Sequence, residues 1–211
     1  MGPSDYFFHD KAIFSANGRL DPWTWSWMPE DVPADAAAIT PLDALQVLKG
    51  IGRMRKIPIG VIGPREASEE QLSMAEEIGA RLGQLTLTMV CGGKGGVMQA
   101  AARGCHEAGG LTVGLLPDHD WHEANPFISL PIATGLSEGR NMIIAKSCEV
   151  LIAVGGSYGT MTEIAYGLHF SKPVIGLQGA PHVDGLLPVE SANEAMDTMA
   201  ERLFARIRLS H

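Results

Sequence analysis

No run of Lys or Arg in the sequence is long enough to neutralise a row of phosphates, and the net charge is -8. Binding to nucleic acid by charge is therefore not expected, nor is a DNA-processing partnership, although a local basic pocket stays open. Cysteine is scarce: Cys91, Cys105 and Cys148 are scattered without any C-x-x-C. An odd count with no pairing pattern excludes a disulfide framework and fits a reducing compartment, each thiol being read as a small buried apolar residue. Long apolar runs are missing as well. The most apolar stretch, "MIIAKSCEVLIAVGG", is broken by Lys146 and Glu149 and is too short and too charged to span a membrane. "MGPSDYFFHD" has no basic segment followed by an apolar one, so no signal peptide is read and a cytoplasmic protein is expected.

What is present describes a globular chain. The 211 residues are 45% hydrophobic and 19% charged, enough to bury a full core. Many of the 25 glycines sit at the ends of apolar runs. From residue 57 the pattern alternates strand and helix: "IPIGVIG" ends in Gly63-Pro64, and "SEEQLSMAEEIGARLGQ" opens with Ser68 as N-cap and Gln71 three residues on, a capping box. "LTLTMVCGG", "LTVGLLP", "ISLPIATG", "VLIAVGG" and "KPVIGLQG" read as further strands. "GVMQAAARGCHEAGG", "SEGRNMIIAKSCE" (capped by Ser137), "TMTEIAYGLHFS" and "SANEAMDTMAERLFARIR" read as helices. Strands separated by helices over some 150 residues predict an α/β fold: a Rossmann-like parallel sheet with helices on both faces, spanning 57–211. Ligands of such sheets bind at the carboxyl ends of the strands, here Gly63-Pro64, Gly92-Gly93, Thr134-Gly135 and Gly155-Gly156.

Residues 1–56 form an N-terminal extension of different character. Thr40-Pro41-Leu42-Asp43 predicts a helix running to about Arg55. Before it, Trp23, Trp25 and Trp27 recur at period two, as in a strand or arm that buries one aromatic face on the domain or on a second subunit, or in an aromatic lid over a bound base.

Three loops carry candidate chemistry. "CGGKGGVMQAA" leaves backbone N–H groups uncovered where a helix begins, so Gly92, Gly93, Gly95 and Gly96 either contact a nucleotide or serve tight strand-to-helix packing; it is not a Walker A loop. In "GLSEGRNMIIAK", Arg140 and Asn141 fall in the first turn of a helix, where a cation opposes the helix dipole. Arg140 either pairs with Glu138 at the surface or aims at a phosphate or carboxylate at the strand ends. In "GGSYGTMTE", Gly156, Ser157, Tyr158, Gly159 and Thr160 can hold an anion through N–H groups and hydroxyls. Glu163 follows one turn later. A phosphate cradle would not seek a carboxylate, so Glu163 either addresses another part of the ligand or closes a capping box with Thr160.

The last two segments together resemble the LOG superfamily, the Lonely Guy phosphoribohydrolases often labelled lysine decarboxylases. Its mark is a helix with a functional Arg followed by P-G-G-x-G-T-x-x-E; Arg140 matches that Arg and Glu163 the motif Glu, 23 residues on. "CGGKGGVMQAAARG" resembles the family's G-G-G-x-x-G-x-M segment, which adds Met98 to the candidate ligand contacts. The resemblance covers residues 57–180. Gly155-Gly156-Ser157 replaces P-G-G, and Thr162 replaces the first of two paired acids, which places the sequence nearer the branch of molybdenum-cofactor carriers and DprA-related proteins.

The resemblance implies hydrolysis of the N-glycosidic bond of a nucleoside 5′-monophosphate. The glycine loop would hold the 5′-phosphate, Glu163 would stabilise positive charge on the sugar, and Arg140 would keep Glu163 ionised. The alternative is a non-catalytic carrier or sensor. No cofactor is required in the first case; a bound nucleotide or molybdenum cofactor is the ligand in the second. A homodimer or higher homo-oligomer is expected, through the apolar "MIIA" and "IAYGLHF" helices. No metal site is assigned: "PDHDWHE" lacks a helical pair of His and reads as a solvated loop. Ser157 has no G-x-S-x-G elbow, against a serine hydrolase.

Overall fold

The computed structural model describes residues 5–209. Residues 1–4 and 210–211 lie outside the described residues, and with them part of the stretch read for targeting and the outer ends of the expected bounds 1–56 and 57–211. The chain divides into two compact units, Met1–Arg55 with Ala200–His211, and Lys56–Met199.

The first unit contains β1 (Tyr6–His9), β2 (Ala12–Ser15), β3 (Gly18–Asp21), β4 (Ser26–Met28), β5 (Ala37–Ile39) and α1 (Pro41–Lys49). Among the described residues they build a six-stranded sheet in the order Arg208–Leu209, β4, β3, β2, β1, β5. The C-terminal strand, which the sequence reading kept with the larger domain, thus pairs in parallel with β4. The three tryptophans do not share a strand. Asp21 accepts hydrogen bonds from the Trp23 N–H and the Thr24 hydroxyl, both at 2.8 Å, and the resulting turn carries Trp25 to φ 50°. Only Trp27 enters a strand, buried with its ring stacked 6.2 Å from that of Tyr6. Helix α1 has its Thr40–Asp43 capping box but stops at Gly50 rather than near Arg55, since Gly50 and Gly52 both weaken further helix.

In the second unit strand and helix alternate: β6 (Pro58–Ile62), α2 (Glu69–Gln84), β7 (Thr88–Cys91), α3 (Val97–Glu107), β8 (Leu111–Leu116), β9 (Leu130–Ala133), α4 (Arg140–Ser147), β10 (Val150–Val154), α5 (Tyr158–His169), β11 (Val174–Leu177), β12 (Leu187–Pro188) and α6 (Ala192–Phe204), whose last turn counts with the first unit. Among the described residues the strands form a seven-stranded sheet in the order β12-β11-β10-β6-β7-β8-β9. Every pairing is parallel. This is the Rossmann-like α/β fold that the alternation implies. β10 and β11 are buried along their whole length, as their unbroken apolar runs require.

Connection order places the site. The path β6-α2-β7-α3-β8 runs one way along the sheet, and α4-β10-α5-β11 runs the other way from β6. With right-handed crossovers the two helix pairs cover opposite faces, and the direction reverses between β6 and β10. Helices diverge there, leaving a crevice at the carboxyl ends of these two strands. Small residues let α2 and α3 pack closely: a Cβ on Gly79 would overlap the Ala101 carbonyl, and one on Gly104 the Glu76 carbonyl. The Ser68–Gln71 capping box forms, and the Gln71 amide also donates to the Gln178 carbonyl at 2.9 Å, tying the start of α2 to the end of β11.

Candidate functional site

A cavity of about 470 Å³ opens at the switch between β6 and β10, wholly within the second unit. The loop after β6 supplies Gly63, Pro64, Arg65 and Glu66, and α3 supplies Met98. Glu138, Arg140 and Asn141 come from the start of α4, and Gly156, Ser157, Gly159, Thr160 and Glu163 from the loop and first turn after β10. Its size suits a mononucleotide-sized ligand.

Arg140 is the first residue of α4, although Ser137 does not cap that helix. Ser137 sits at φ 47° in a single 3-10 turn, and its N–H donates to the Pro117 carbonyl at 3.0 Å. The loop is therefore anchored to the end of β8 before the helix begins, and Gly139 takes the capping position without a side-chain bond. The consequence is that Arg140 turns inward. It is buried, and its Nη1 lies 3.4 Å from Glu163 Oε1, so it is not the surface partner of Glu138. Nη1 also donates to the Asn141 side-chain oxygen, while the buried Nε has no hydrogen-bond partner. A Cβ on Gly92 would strike the guanidinium and the Met98 sulfur, so glycine at 92 makes room for Arg140.

Asn141 is fixed on its other side. Its Nδ2 donates to Thr162 Oγ1 at 2.8 Å and to the Gly159 carbonyl at 3.3 Å, and the Thr162 hydroxyl donates to that same carbonyl at 2.7 Å. Thr162 thus joins the start of α4 to the first turn of α5.

Helix α5 begins at Tyr158, two residues earlier than the sequence pattern suggests. Ser157 is its N-cap, with Oγ accepting from the Thr160 N–H at 3.3 Å. Ser157, not a Thr160–Glu163 box, therefore closes this helix start, and Glu163 is left to face Arg140. The first-turn N–H groups of Tyr158 and Gly159 point out of the helix end toward any anion placed there. The Tyr158 side chain is almost fully exposed and lies outside the cavity lining.

Burial pushes the Glu163 carboxyl up to about 8, with the Arg140 guanidinium pulling in the opposite direction by less. The expectation that Arg140 keeps Glu163 ionised is corrected accordingly: desolvation outweighs the ion pair, and the acid is largely protonated at neutral pH. Arg140 is itself lowered by burial but remains a cation, as guanidinium does throughout the ordinary pH range. The ligand-free pair is thus net positive near neutrality.

Not all the candidate residues converge. Arg140, Asn141, Met98, Gly156, Ser157, Gly159, Thr160 and Glu163 line one cavity, Gly92 backs it, and Gly96 lines a second, smaller one. Gly93 and Gly95 line neither; Gly93, at φ 70°, packs on Gly114 and Leu116. The strand end Gly63-Pro64 is legible in the sequence, but Arg65 and Glu66 just beyond it went unassigned. A cation immediately after a strand-ending glycine was the available signal. In 117–123 the acids are engaged locally: Asp118 binds Lys94 at 2.7 Å and Asp120 binds His122 at 2.6 Å. All three cysteines are free and buried, and burial pushes the Cys91 and Cys148 thiols up to about 12 and that of Cys105 to about 11, which makes them poor nucleophiles. Among the described residues no helix is long and apolar enough to cross a membrane.

The sequence model of the SLOG cluster4 family matches residues 56–204. The cytokinin riboside 5′-monophosphate phosphoribohydrolase of Mycobacterium tuberculosis is 31% identical over 137 residues, 56% of this chain and 67% of that protein. The molybdenum cofactor binding protein of Rippkaea orientalis superposes with a TM-score of 0.67 at 31% identity, covering 71% of this chain and 98% of the other. The molybdenum cofactor carrier protein of Chlamydomonas reinhardtii does so with a TM-score of 0.65 at 35% identity, covering 72% and 100%.

Proposed function

The chain belongs to the SLOG cluster4 family, and from that premise we propose that it binds a nucleoside 5′-monophosphate and hydrolyses its N-glycosidic bond to base and ribose 5-phosphate. One observation carries the reading: a buried Arg140–Glu163 pair, 3.4 Å apart, shares a single cavity with the free helix start at Tyr158–Gly159. The 5′-phosphate rests on those N–H groups, with Arg140 beside them as a further cationic partner. Glu163 faces the sugar. As the bond to the base breaks, positive charge grows at C1′; ionised Glu163 stabilises it and orients the attacking water. Protonated Glu163 does neither, so turnover rises as pH is raised through about 8. No resident cofactor takes part. The similarity to the M. tuberculosis phosphoribohydrolase supports this reading.

A second reading has its own support: similarity to two molybdenum-cofactor proteins over nearly their whole lengths, and Ser157 and Thr162 in place of the residues of the resembled phosphoribohydrolases. Here a phosphorylated, molybdenum-bearing pterin would be cargo, its phosphate on the same N–H groups and Arg140. Incubation with a panel of nucleoside 5′-monophosphates separates the two. Release of ribose 5-phosphate supports hydrolysis; tight binding with no release from any of them transfers the site to carriage.

Two further properties belong to the proposal. Three free, buried thiols suit a reducing cytoplasm. Leu136, Met142, Met161 and Tyr166 expose apolar surface on and before α4 and α5, fitting a homodimer built through those helices. Light scattering at micromolar concentration should give twice the chain mass of 22.5 kDa, and a monomer contradicts it.

A further inference from the structure

Arg65 lines two cavities. One is the 470 Å³ site already described. The other, about 320 Å³, is bounded by Arg65, Leu72, Gly96, Gln99 and Arg103. The second cavity has the composition of a place for an anion. Arg65, Gln99 and Arg103 are the polar residues that line it, and no acidic residue does. Glu76 holds Arg103 through two hydrogen bonds, Nε to Oε1 at 3.0 Å and Nη2 to Oε2, while Glu107 and Asp118 act through charge on Arg103 and Arg65 respectively. Arg103 is thereby fixed in position, and Arg65 makes no ion pair among the described residues. The shape is fixed too: a Cβ on Gly96 would overlap the carbonyls of Pro64 and Arg65, so this floor exists only with glycine.

A single mononucleotide fills the first cavity, with its one phosphate on the start of α5. That leaves the second cavity without a task. A cation with no ion pair, standing between two cavities, contributes most to a ligand whose negative charge extends from one to the other.

We infer that the natural ligand carries a second phosphoryl group, and that this group sits in the cavity bounded by Arg65, Gln99 and Arg103. The inference rests on the nucleotide-binding reading above and changes its ligand class from a nucleoside monophosphate to a nucleotide with two phosphoryl groups, whose cleavage would leave both groups on the ribose released. Arg65 is then a specificity-determining residue. Arg65 lines both cavities and can serve both phosphoryl groups, which inorganic phosphate or AMP cannot exploit.

Titration calorimetry with AMP and ADP, on wild type and on Gln99→Glu, tests this. Gln99→Glu adds a carboxylate to the second cavity and touches nothing in the first. ADP is expected to bind wild type about tenfold or more tighter than AMP, and Gln99→Glu to remove that preference while AMP affinity stays within about threefold. Arg65→Ala should weaken both ligands, and ADP more. Equal affinities for AMP and ADP in wild type overturn the inference and leave the nucleotide reading intact. An ADP preference that survives Gln99→Glu also overturns it, because the second group then lies elsewhere. No measurable binding of either nucleotide sinks the underlying reading itself. Circular dichroism and the unchanged AMP affinity together verify that Gln99→Glu folds.

Discussion

Thr162 shows what a single hydroxyl does in this site. It accepts from Asn141, and Asn141 accepts from Arg140, so the guanidinium is oriented through two side chains. Thr162→Val keeps the shape and leaves the Asn141 amide short of a partner, a loss of about 1 kcal/mol in stability. Nucleotide affinity should fall by about fivefold to tenfold, with Thr162→Ser restoring it. Calorimetric titration of the three proteins checks this, and unchanged affinity in the valine variant would remove Thr162 from the site. Arg140 and Glu163 were legible from sequence because their spacing and loop chemistry are local. The bond from Asn141 to Thr162 was not, since it crosses between two helices and no pattern in either segment encodes it. The protonation of Glu163 was misread for the same reason. The nearby cation is visible in the sequence, whereas the burial that outweighs it is a property of the packed fold.

At the scale of elements, local signals succeeded where no distant contact competed. The capping box at Ser68 forms as written, and Thr40 caps α1 as its segment implies. The cap at Ser137 fails because that segment is bound first to Pro117 and Asp118 beyond β8, and the tryptophan strand fails because Asp21 closes a turn inside it. The contact of α2 with α3 is another feature hidden from periodicity. Gly79 sits in mid-helix, where Ala would ordinarily gain up to about 1 kcal/mol. Here the added methyl meets the Ala101 backbone rather than a flexible side chain, so the clash prevails. Gly79→Ala should cost about 1–3 kcal/mol of stability, read as a lower urea midpoint at unchanged slope. A neutral or stabilising result would mean that the two helices are not packed this closely.

For the whole molecule, the parallel sheet of the second unit follows from alternating apolar runs and could be traced strand by strand. The six-stranded sheet of the first unit could not be, because its strands are short and the pairing of β4 with Arg208–Leu209 joins opposite ends of the chain. The buried acid adds a pH dependence to stability as a whole. The folded-state pKa of Glu163, about 8, stands above its ordinary 4.5, so the folded protein binds the extra proton. Stability from this group is full below about 4.5 and is lost as pH rises through about 8. Glu163→Gln should abolish that loss. Relative to the variant, wild type should weaken by about 1.4 kcal/mol per pH unit between those values. Parallel unfolding curves for the two proteins at every pH would contradict it.

The account stands on Glu163 acting upon the sugar rather than holding the fold. The most direct test is the rate of ribose 5-phosphate release by wild type and Glu163→Gln, measured with the best substrate of the nucleotide panel near pH 8, beside the affinity of each for that nucleotide. The account predicts a fall of about 10²-fold or more in release, some 2.7 kcal/mol of transition-state stabilisation, with affinity similar or higher. Release at an undiminished rate from the variant would contradict it, as would a parallel loss of binding and turnover.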